Sequence, residues 1–89
     1  MKIKLELFGA SRNFSNKDHL EFNIKGKIEI KDFREKIINY IEKKFSGNEN
    51  FKKIVETSAF CSEDNNIIKD DYKITKDQKI GIIPPIGGG

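Results

Sequence analysis

The sequence predicts an α+β fold in which a mixed sheet of about four or five strands carries one main helix on one face. Two N-terminal segments, 2–8 and 20–25, alternate apolar and polar side chains as half-buried strands do. Residues 30–46 change to a helical period, and an apolar run at 79–83 predicts a last strand. At 89 residues, the chain has the length of one small domain with a single core.

The two N-terminal strands are expected to pair as an antiparallel hairpin joined by a long polar loop at 9–18. Because alternate side chains of a strand point to opposite faces, each strand has one face for the core. The inward positions are Ile3, Leu5, Leu7, Leu20, Phe22 and Ile24. Phe8 is expected on the outer face of the sheet.

The predicted helix at 30–46 presents an apolar stripe at helical spacing, so it is expected to cover one face of the sheet. The stripe consists of Phe33, Ile37, Ile38, Ile41 and Phe45. Asp32 in the first turn and Lys43 and Lys44 in the last turn suit the helix dipole. Gly47 is placed to end the helix in a left-handed conformation.

The C-terminal half is expected to contribute three strands and no further helix. A loop at 48–50 precedes a segment, 54–62, that ends in a strand, and a turn at 63–66 leads to a brief strand at 67–68. Residues 70–78 read as an ordered loop, pinned by Tyr72 and Ile74, before the last strand. The order β-β-α-β-β-β fits a ubiquitin-like β-grasp fold, with the first and last strands parallel in the centre.

The predicted domain spans 1–83, and residues 84–89 form a protruding tail. Pro84 and Pro85 lack a backbone N–H and stop the strand, while Ile86 follows as an apolar side chain. Gly87, Gly88 and Gly89 have no Cβ, so their backbone fits a narrow slot in another protein. These features indicate that the terminal carboxylate of Gly89 is the working group, although a flexible linker is the simpler alternative.

The composition argues against several classes of function. The net charge is +3, but basic residues do not cluster strongly and Arg12 and Arg34 are the only arginines, so nucleic acid is not an expected partner. With one histidine and Cys61 as the only cysteine, no metal site or disulfide is expected, and Cys61 reads as core filling. The sequence shows no signal peptide and no membrane span, so we expect a cytoplasmic protein.

The ending Pro84-Pro85-Ile86-Gly87-Gly88-Gly89 resembles that of the small subunit of molybdopterin synthase, the MoaD type of the MoaD/ThiS ubiquitin-like family. The opening 2–8 with Arg12 in the next loop, and the turn Ile74-Thr75-x-Asp77, are also similar to that family. Gly87 departs from the small polar residue or alanine more common at its position, and Lys76-Asp77-Gln78 replaces the more usual Gly-Asp turn.

The resemblance implies a sulfur carrier in molybdenum cofactor biosynthesis that is not an enzyme alone and binds no cofactor. An E1-like enzyme would use ATP to adenylate Gly89, and a persulfide protein would supply the sulfur of a thiocarboxylate. The tail, from Pro84 to Gly88, would then thread into the large synthase subunit, where the sulfur passes to a pterin precursor. The resemblance further implies a monomer when free and a heteromeric complex in function.

Docking is expected to need apolar area on the body, because ordering a tail costs conformational entropy. The candidate contacts are Phe8, Phe60, Ile67, Ile83 and Arg12. For Phe8, closing the rim of the core is an equally good interpretation. For Arg12, a plain solvated cation is the simpler interpretation.

Other functions remain open from the sequence. A carrier for thiamine thiazole synthesis or tRNA thiolation shares the terminal Gly-Gly. A ubiquitin-like modifier would use the same end to form an amide with a target lysine. A plain interaction module would bind its partner without Gly88 and Gly89.

Overall fold

The first and last strands lie side by side in the centre of a five-stranded sheet. The structure is a computed structural model that describes residues 1–86. The strands, in chain order, are β1 (Lys2–Leu7), β2 (His19–Asn23), β3 (Ile28–Glu29), β4 (Ala59–Cys61), β5 (Ile67–Ile68), β6 (Lys73–Ile74) and β7 (Gln78–Ile83). The main sheet has the order β2-β1-β7-β4-β5, and β3 pairs with β6 in a separate two-stranded sheet.

The register of the central pair confirms the predicted β-grasp arrangement. β1 and β7 are parallel, with Leu5 opposite Ile80 and Leu7 opposite Ile82. All four of these side chains are 2% exposed or less. The strict alternation of β1 explains the placement, because every second residue faces the core.

Helix α1 (Ile30–Lys44) covers the inner face of the sheet. Phe33, Ile37 and Ile41 are completely buried, which confirms the centre of the predicted stripe, while Ile38 and Phe45 pack at its margin. The helix ends as predicted: Gly47 has a φ of +71°, and its N–H donates to the carbonyl of Glu42 at 3.1 Å.

A second helix, α2 (Glu49–Thr57), occupies most of the predicted loop at 48–50 and the first part of the predicted segment at 54–62, whose end is β4. Asn48 caps it by accepting a hydrogen bond from the N–H of Phe51 at 3.1 Å. Phe51 packs on Phe14 and Phe45, with ring centroids 5.2 and 5.0 Å apart. The prediction failed because so short an apolar face does not distinguish a helix from a buried strand.

Lys52 ties α2 to α1. Its Nζ lies 3.2 Å from Glu42 Oε2 on α1 and 3.3 Å from Glu49 Oε1 on its own helix. The hydrogen bond to Glu42, reinforced by that to Glu49, raises the pKa of the Lys52 ammonium.

The predicted loop at 9–18 contains a 3₁₀ helix, Gly9–Phe14. Buried Ser11 holds its start, because its Oγ donates to the carbonyl of Phe8 at 2.6 Å and accepts from the N–H of Phe8 at 3.0 Å. The predicted loop at 70–78 is ordered and includes β6, with Ile74 fully buried. Its Asp77 carboxylate accepts from the N–H of Lys2 at 2.8 Å, which ties the turn before β7 to β1.

Candidate functional site

The tail leaves the domain from β7, a strand that has paired neighbours on both sides. Pro84 is buried, and a Cβ added at Gly9 would lie 3.8 Å from Pro84 Cδ. Ile86, two residues later, is 98% exposed. Pro84 therefore packs on the body, whereas Pro85 and Ile86 are exposed. The predicted division into a domain at 1–83 and a tail at 84–89 stays a prediction. The predicted roles of Gly87, Gly88 and Gly89 lie outside the described residues.

Pro84 and Pro85 also form one wall of a cavity of about 310 Å³ between the 3₁₀ helix and α2. The other lining residues are Ala10, Asn50, Lys53, Ile54 and Thr57. The unpredicted helix α2 thus lies across this cavity from Pro84 and Pro85. Because the rigid φ of proline is combined here with burial, the direction in which the chain leaves the body is fixed at Pro84.

An exposed apolar surface lies on the outer face of the sheet beside the end of β7. It consists of Phe8, Ile67 and Ile83, whose side chains are 43%, 65% and 37% exposed. The three residues line a shallow cavity of about 300 Å³ together with Cys61 and Asn65. We call these three residues the apolar surface.

Gly81 allows the apolar surface to form. It lies between Cys61 and Phe8, and a Cβ at this position would be 2.7 Å from Cys61 Sγ and 3.0 Å from Phe8 Cε2. With glycine there, the Phe8 ring packs against Gly81 of β7. Phe8 therefore covers the outer face of the sheet and does not close the rim of the main core.

The other half of the outer face is polar. Its residues, which we call the polar half, are Lys2, Lys4, Glu6, Glu21 and Lys79. Lys2 pairs with Glu21 at 3.8 Å, and Lys79 pairs with Glu6 at 3.6 Å. The apolar surface is thus confined to the side of the sheet from which the tail leaves.

Phe60 was wrongly predicted as a partner contact. It is completely buried on the inner face of β4, because it lies opposite Ile82 in the antiparallel register. Its ring contacts the guanidinium of Arg34 at 4.7 Å. Arg34 in turn donates to the carbonyls of Val55 and Ser58 at 2.7 and 2.8 Å and pairs with Asp70 at 2.9 Å, so the end of α2 and the start of β4 are fixed together.

Cys61 is buried as predicted, but it lies on the outer face of the sheet and not in the main core. Its position follows from the register, in which it is opposite Gly81 and Ile67. Arg12 is exposed on the 3₁₀ helix, and its predicted contact with a partner stays a prediction. Of the five predicted contacts, Phe8, Ile67 and Ile83 form the apolar surface, and their contact with a partner stays a prediction.

Residues 1–86 were compared with the requirements of a metal site and of a membrane-spanning helix. No set of three or more histidine, cysteine or carboxylate side chains comes close enough there to hold a metal ion. Within the same range, no helix is long and apolar enough to cross a membrane. Asp18 accepts a hydrogen bond from His19 Nδ1 at 2.9 Å, which lowers the pKa of the Asp18 carboxyl.

Parallel β1 and β7 under a crossing helix define a ubiquitin-like β-grasp fold. The chain is similar over 100% of its length to all of SAMP1 from Haloferax volcanii, with a TM-score of 0.69 and 11% sequence identity. It is also similar, over 96% of its length and 98% of the other chain, to a protein from Pyrococcus furiosus that carries the provisional name molybdopterin converting factor, subunit 1. That pair has a TM-score of 0.66 and 20% identity.

These identities are low, so the two similarities show the shared fold. No protein-family model matches the sequence, and no curated protein gives a significant match. The predicted fold class is confirmed by the full-length agreement with both structures.

Proposed function

We propose that this protein is a sulfur carrier and acts as the small subunit of a molybdopterin synthase. The observation that carries the proposal is the arrangement at the end of β7. Pro84 is anchored on the body, Ile86 is 98% exposed two residues later, and the apolar surface lies beside this exit. Full-length fold similarity to the Pyrococcus furiosus protein supports the same assignment.

The proposed chemistry takes place on the carboxylate of Gly89. A carboxylate is a poor acyl donor because its oxygen is a poor leaving group. An E1-like partner would join Gly89 to the AMP part of ATP and release pyrophosphate. The terminal sulfur of a persulfide protein would then attack the acyl carbon and expel AMP. A thiol would then attack the donor's sulfur in the resulting acyl disulfide, which releases the thiocarboxylate on Gly89 and leaves the donor in a disulfide with that thiol.

The body's contribution is to present this end and to bind the partner. Ordering a flexible residue costs about 1–2 kcal/mol of backbone entropy, and buried Pro84 has already been ordered. The remaining cost would be met by covering the apolar surface, at about 25 cal/mol per Å². The tail and the apolar surface would therefore enter the partner together, with the tail directed into its active site.

The test is to incubate the untagged protein with an E1-like activating enzyme, ATP and sulfide, and to measure its intact mass. The proposal predicts that one oxygen is exchanged for one sulfur, and that a variant without Gly88 and Gly89 shows no exchange. An unchanged mass, with an enzyme that loads a known carrier in parallel, would refute the proposal.

A denaturing gel of the same reaction with cell extract separates the carrier from a modifier. A carrier gives predominantly the free protein, whereas a modifier gives a ladder of amide-linked conjugates that resist thiols. Transfer of the loaded sulfur to a pterin precursor by a synthase large subunit tests the pathway. Transfer only to a thiazole or tRNA acceptor would replace molybdopterin synthesis by one of the other sulfur pathways.

A further inference from the structure

A second surface lies on the opposite edge of the sheet from β5, where β2 is an edge strand. A groove of about 600 Å³ runs between β2 and α1, within the range of roughly 300–1,000 Å³ that ligand pockets have. Its apolar part consists of Phe22, Ile24, Ile28 and Tyr40. The Phe22 and Tyr40 rings contact edge to face, with centroids 6.0 Å apart.

Lysines surround this groove. Lys25 and Lys27 follow β2, and Lys36 and Lys43 project from α1. None of the four forms an ion pair within residues 1–86, whereas Lys2, Lys31, Lys52 and Lys79 all do. The groove lining thus carries four of the 17 basic side chains of the chain, and none of the four is paired with a carboxylate within residues 1–86, so the local potential is positive.

Two acidic residues line a neighbouring depression that shares Lys27 and Ile28 with the groove. Glu29 and Asp32 line that depression with Lys27, Lys31 and Lys73. Glu29 is paired there with Lys31 at 3.5 Å. The lining of the groove itself contains no carboxylate within residues 1–86.

The open edge of β2 offers backbone hydrogen bonds beside the groove. Ile24 exchanges two bonds with Met1, at 2.6 and 2.8 Å. Because bonded and non-bonded pairs alternate in an antiparallel ladder, Asn23 and Glu21 are left pointing their N–H and C=O groups away from β1. The N–H of Lys2, opposite Asn23, accordingly donates to Asp77 and not to β2.

We propose that this edge binds an extended segment of another protein, with alternating apolar residues and acidic residues at its ends. The segment would add a sixth strand beside β2 through Glu21 and Asn23. Every second side chain would then point into the groove, beside Phe22 and Ile24. The acidic residues would meet the lysines, and the site is separate from the tail and the apolar surface.

A single-stranded nucleic acid is the competing ligand for a basic groove with aromatic residues. The observations favour a peptide, because phosphate binding has no use for the free backbone groups of β2. The groove also has no arginine, the side chain most used for reading bases. A third interpretation is that the lysines protect an open edge from pairing with any strand.

The test is a titration of the ¹⁵N-labelled protein with a capped peptide, Asp-Glu-Val-Thr-Val-Thr-Val-Glu-Asp. We expect amide shifts along 19–24 and 36–43, and none around the apolar surface. A peptide with serine in place of each valine, and an oligothymidylate, are titrated in parallel. Equal binding of the serine peptide, tighter binding of the oligonucleotide, or no binding of any probe would each overturn the proposal.

Variants separate the contributions of charge and backbone. Lys36→Glu with Lys43→Glu should weaken peptide binding by roughly tenfold or more, while the control pair Lys53→Glu and Lys69→Glu, with the same charge change, should not. Glu21→Pro should abolish binding because it removes an N–H from the open edge, and Glu21→Ala should retain it. If Glu21→Pro fails to fold, the two double lysine variants still test the proposal. Equal peptide affinities of these two double variants would contradict it.

Discussion

The outer face of the sheet has two halves that follow the same strand alternation and differ in what they leave exposed. In the polar half, the charged side chains pair with one another, as Lys79 does with Glu6 at 3.6 Å. In the apolar surface, the uncharged side chain of Ile67 remains 65% exposed to solvent. The charged side chains of the polar half are well solvated as they are, whereas covering the apolar surface with another protein removes apolar area from water and lowers the free energy.

The position of the two halves relative to the tail gives this difference a functional meaning. The apolar surface adjoins the end of β7, and Pro84, the next residue, is buried on the body. Under the proposed function, a protein that covers the apolar surface would meet the exposed residues Pro85 and Ile86 as well. The largest predicted effects lie at the tail, the next at the apolar surface, and the smallest in the polar half.

Removal of Gly88 and Gly89 should abolish sulfur loading without changing the fold. The last strand ends at Ile83 and Ile86 is already 98% exposed, so the truncation leaves the described sheet and core intact. Loading is measured by intact mass and the fold by circular dichroism. A truncated protein that is loaded at the normal rate would remove the tail from the mechanism.

Ile67→Asp should weaken binding to the activating enzyme by about tenfold to a hundredfold, because it places a charge on the most exposed residue of the apolar surface. Since Ile67 is 65% exposed, the Tm should change little. Asn23→Asp adds the same charge on the other edge strand of this face, and we expect unchanged affinity. Calorimetric titration measures both variants, and equal losses would mean that the two halves are not distinct.

Phe8→Asp tests the same surface nearer to the strand from which the tail leaves. Its effect on affinity should match that of Ile67→Asp, with an additional loss of stability, because the Phe8 ring covers Gly81. The affinity and the urea midpoint are measured on the same preparation. Normal affinity with a lowered midpoint would leave Phe8 with a structural role alone.

Gly81→Ala should lower the free energy of unfolding by about 1–3 kcal/mol, the usual cost of adding a methyl group where there is no space. The new Cβ would lie 2.7 Å from Cys61 Sγ. Adding Cys61→Ala should recover part of the loss, because it removes the sulfur that is too close. Urea unfolding of the two single variants and the double variant measures the coupling, and simple additivity would contradict this geometry.

Glu6→Gln should change the free energy of unfolding by only about 0.2–1 kcal/mol, the range for exposed ion pairs. The pair with Lys79 is partly exposed on both sides, at 34% for Glu6 and 47% for Lys79. Thermal unfolding at low and high salt measures it. A loss comparable to that of Gly81→Ala would show that the polar half has a larger structural role than its exposure indicates.

Most of the sheet was predictable because its strands carry their own periodicity. Ile3, Leu5 and Leu7 identify the face of β1, and Gly47 identifies the end of α1. The short elements were harder, because Phe51 and Val55 fit a brief helix and a buried strand equally well until Asn48 is recognised as a cap.

The residues of the candidate site could be predicted wherever the sequence shows which face of the sheet a strand residue occupies. Phe8 and Ile83 follow from the alternation of β1 and β7. Phe60 was assigned to the wrong face because β4 has only three residues, and its register is set by Ile82 across the sheet and not by its own pattern. The burial of Pro84 depends on Gly9 and on the 3₁₀ helix, which no local pattern around the tail reveals.

The most direct test of the central claim is tandem mass spectrometry of the protein after loading. The account predicts that the exchange of one oxygen for one sulfur maps to Gly89, and that one extra alanine after Gly89 prevents it. A sulfur atom added without loss of oxygen and mapped to Cys61 would be a persulfide on the body, and it would contradict the proposed role of the tail.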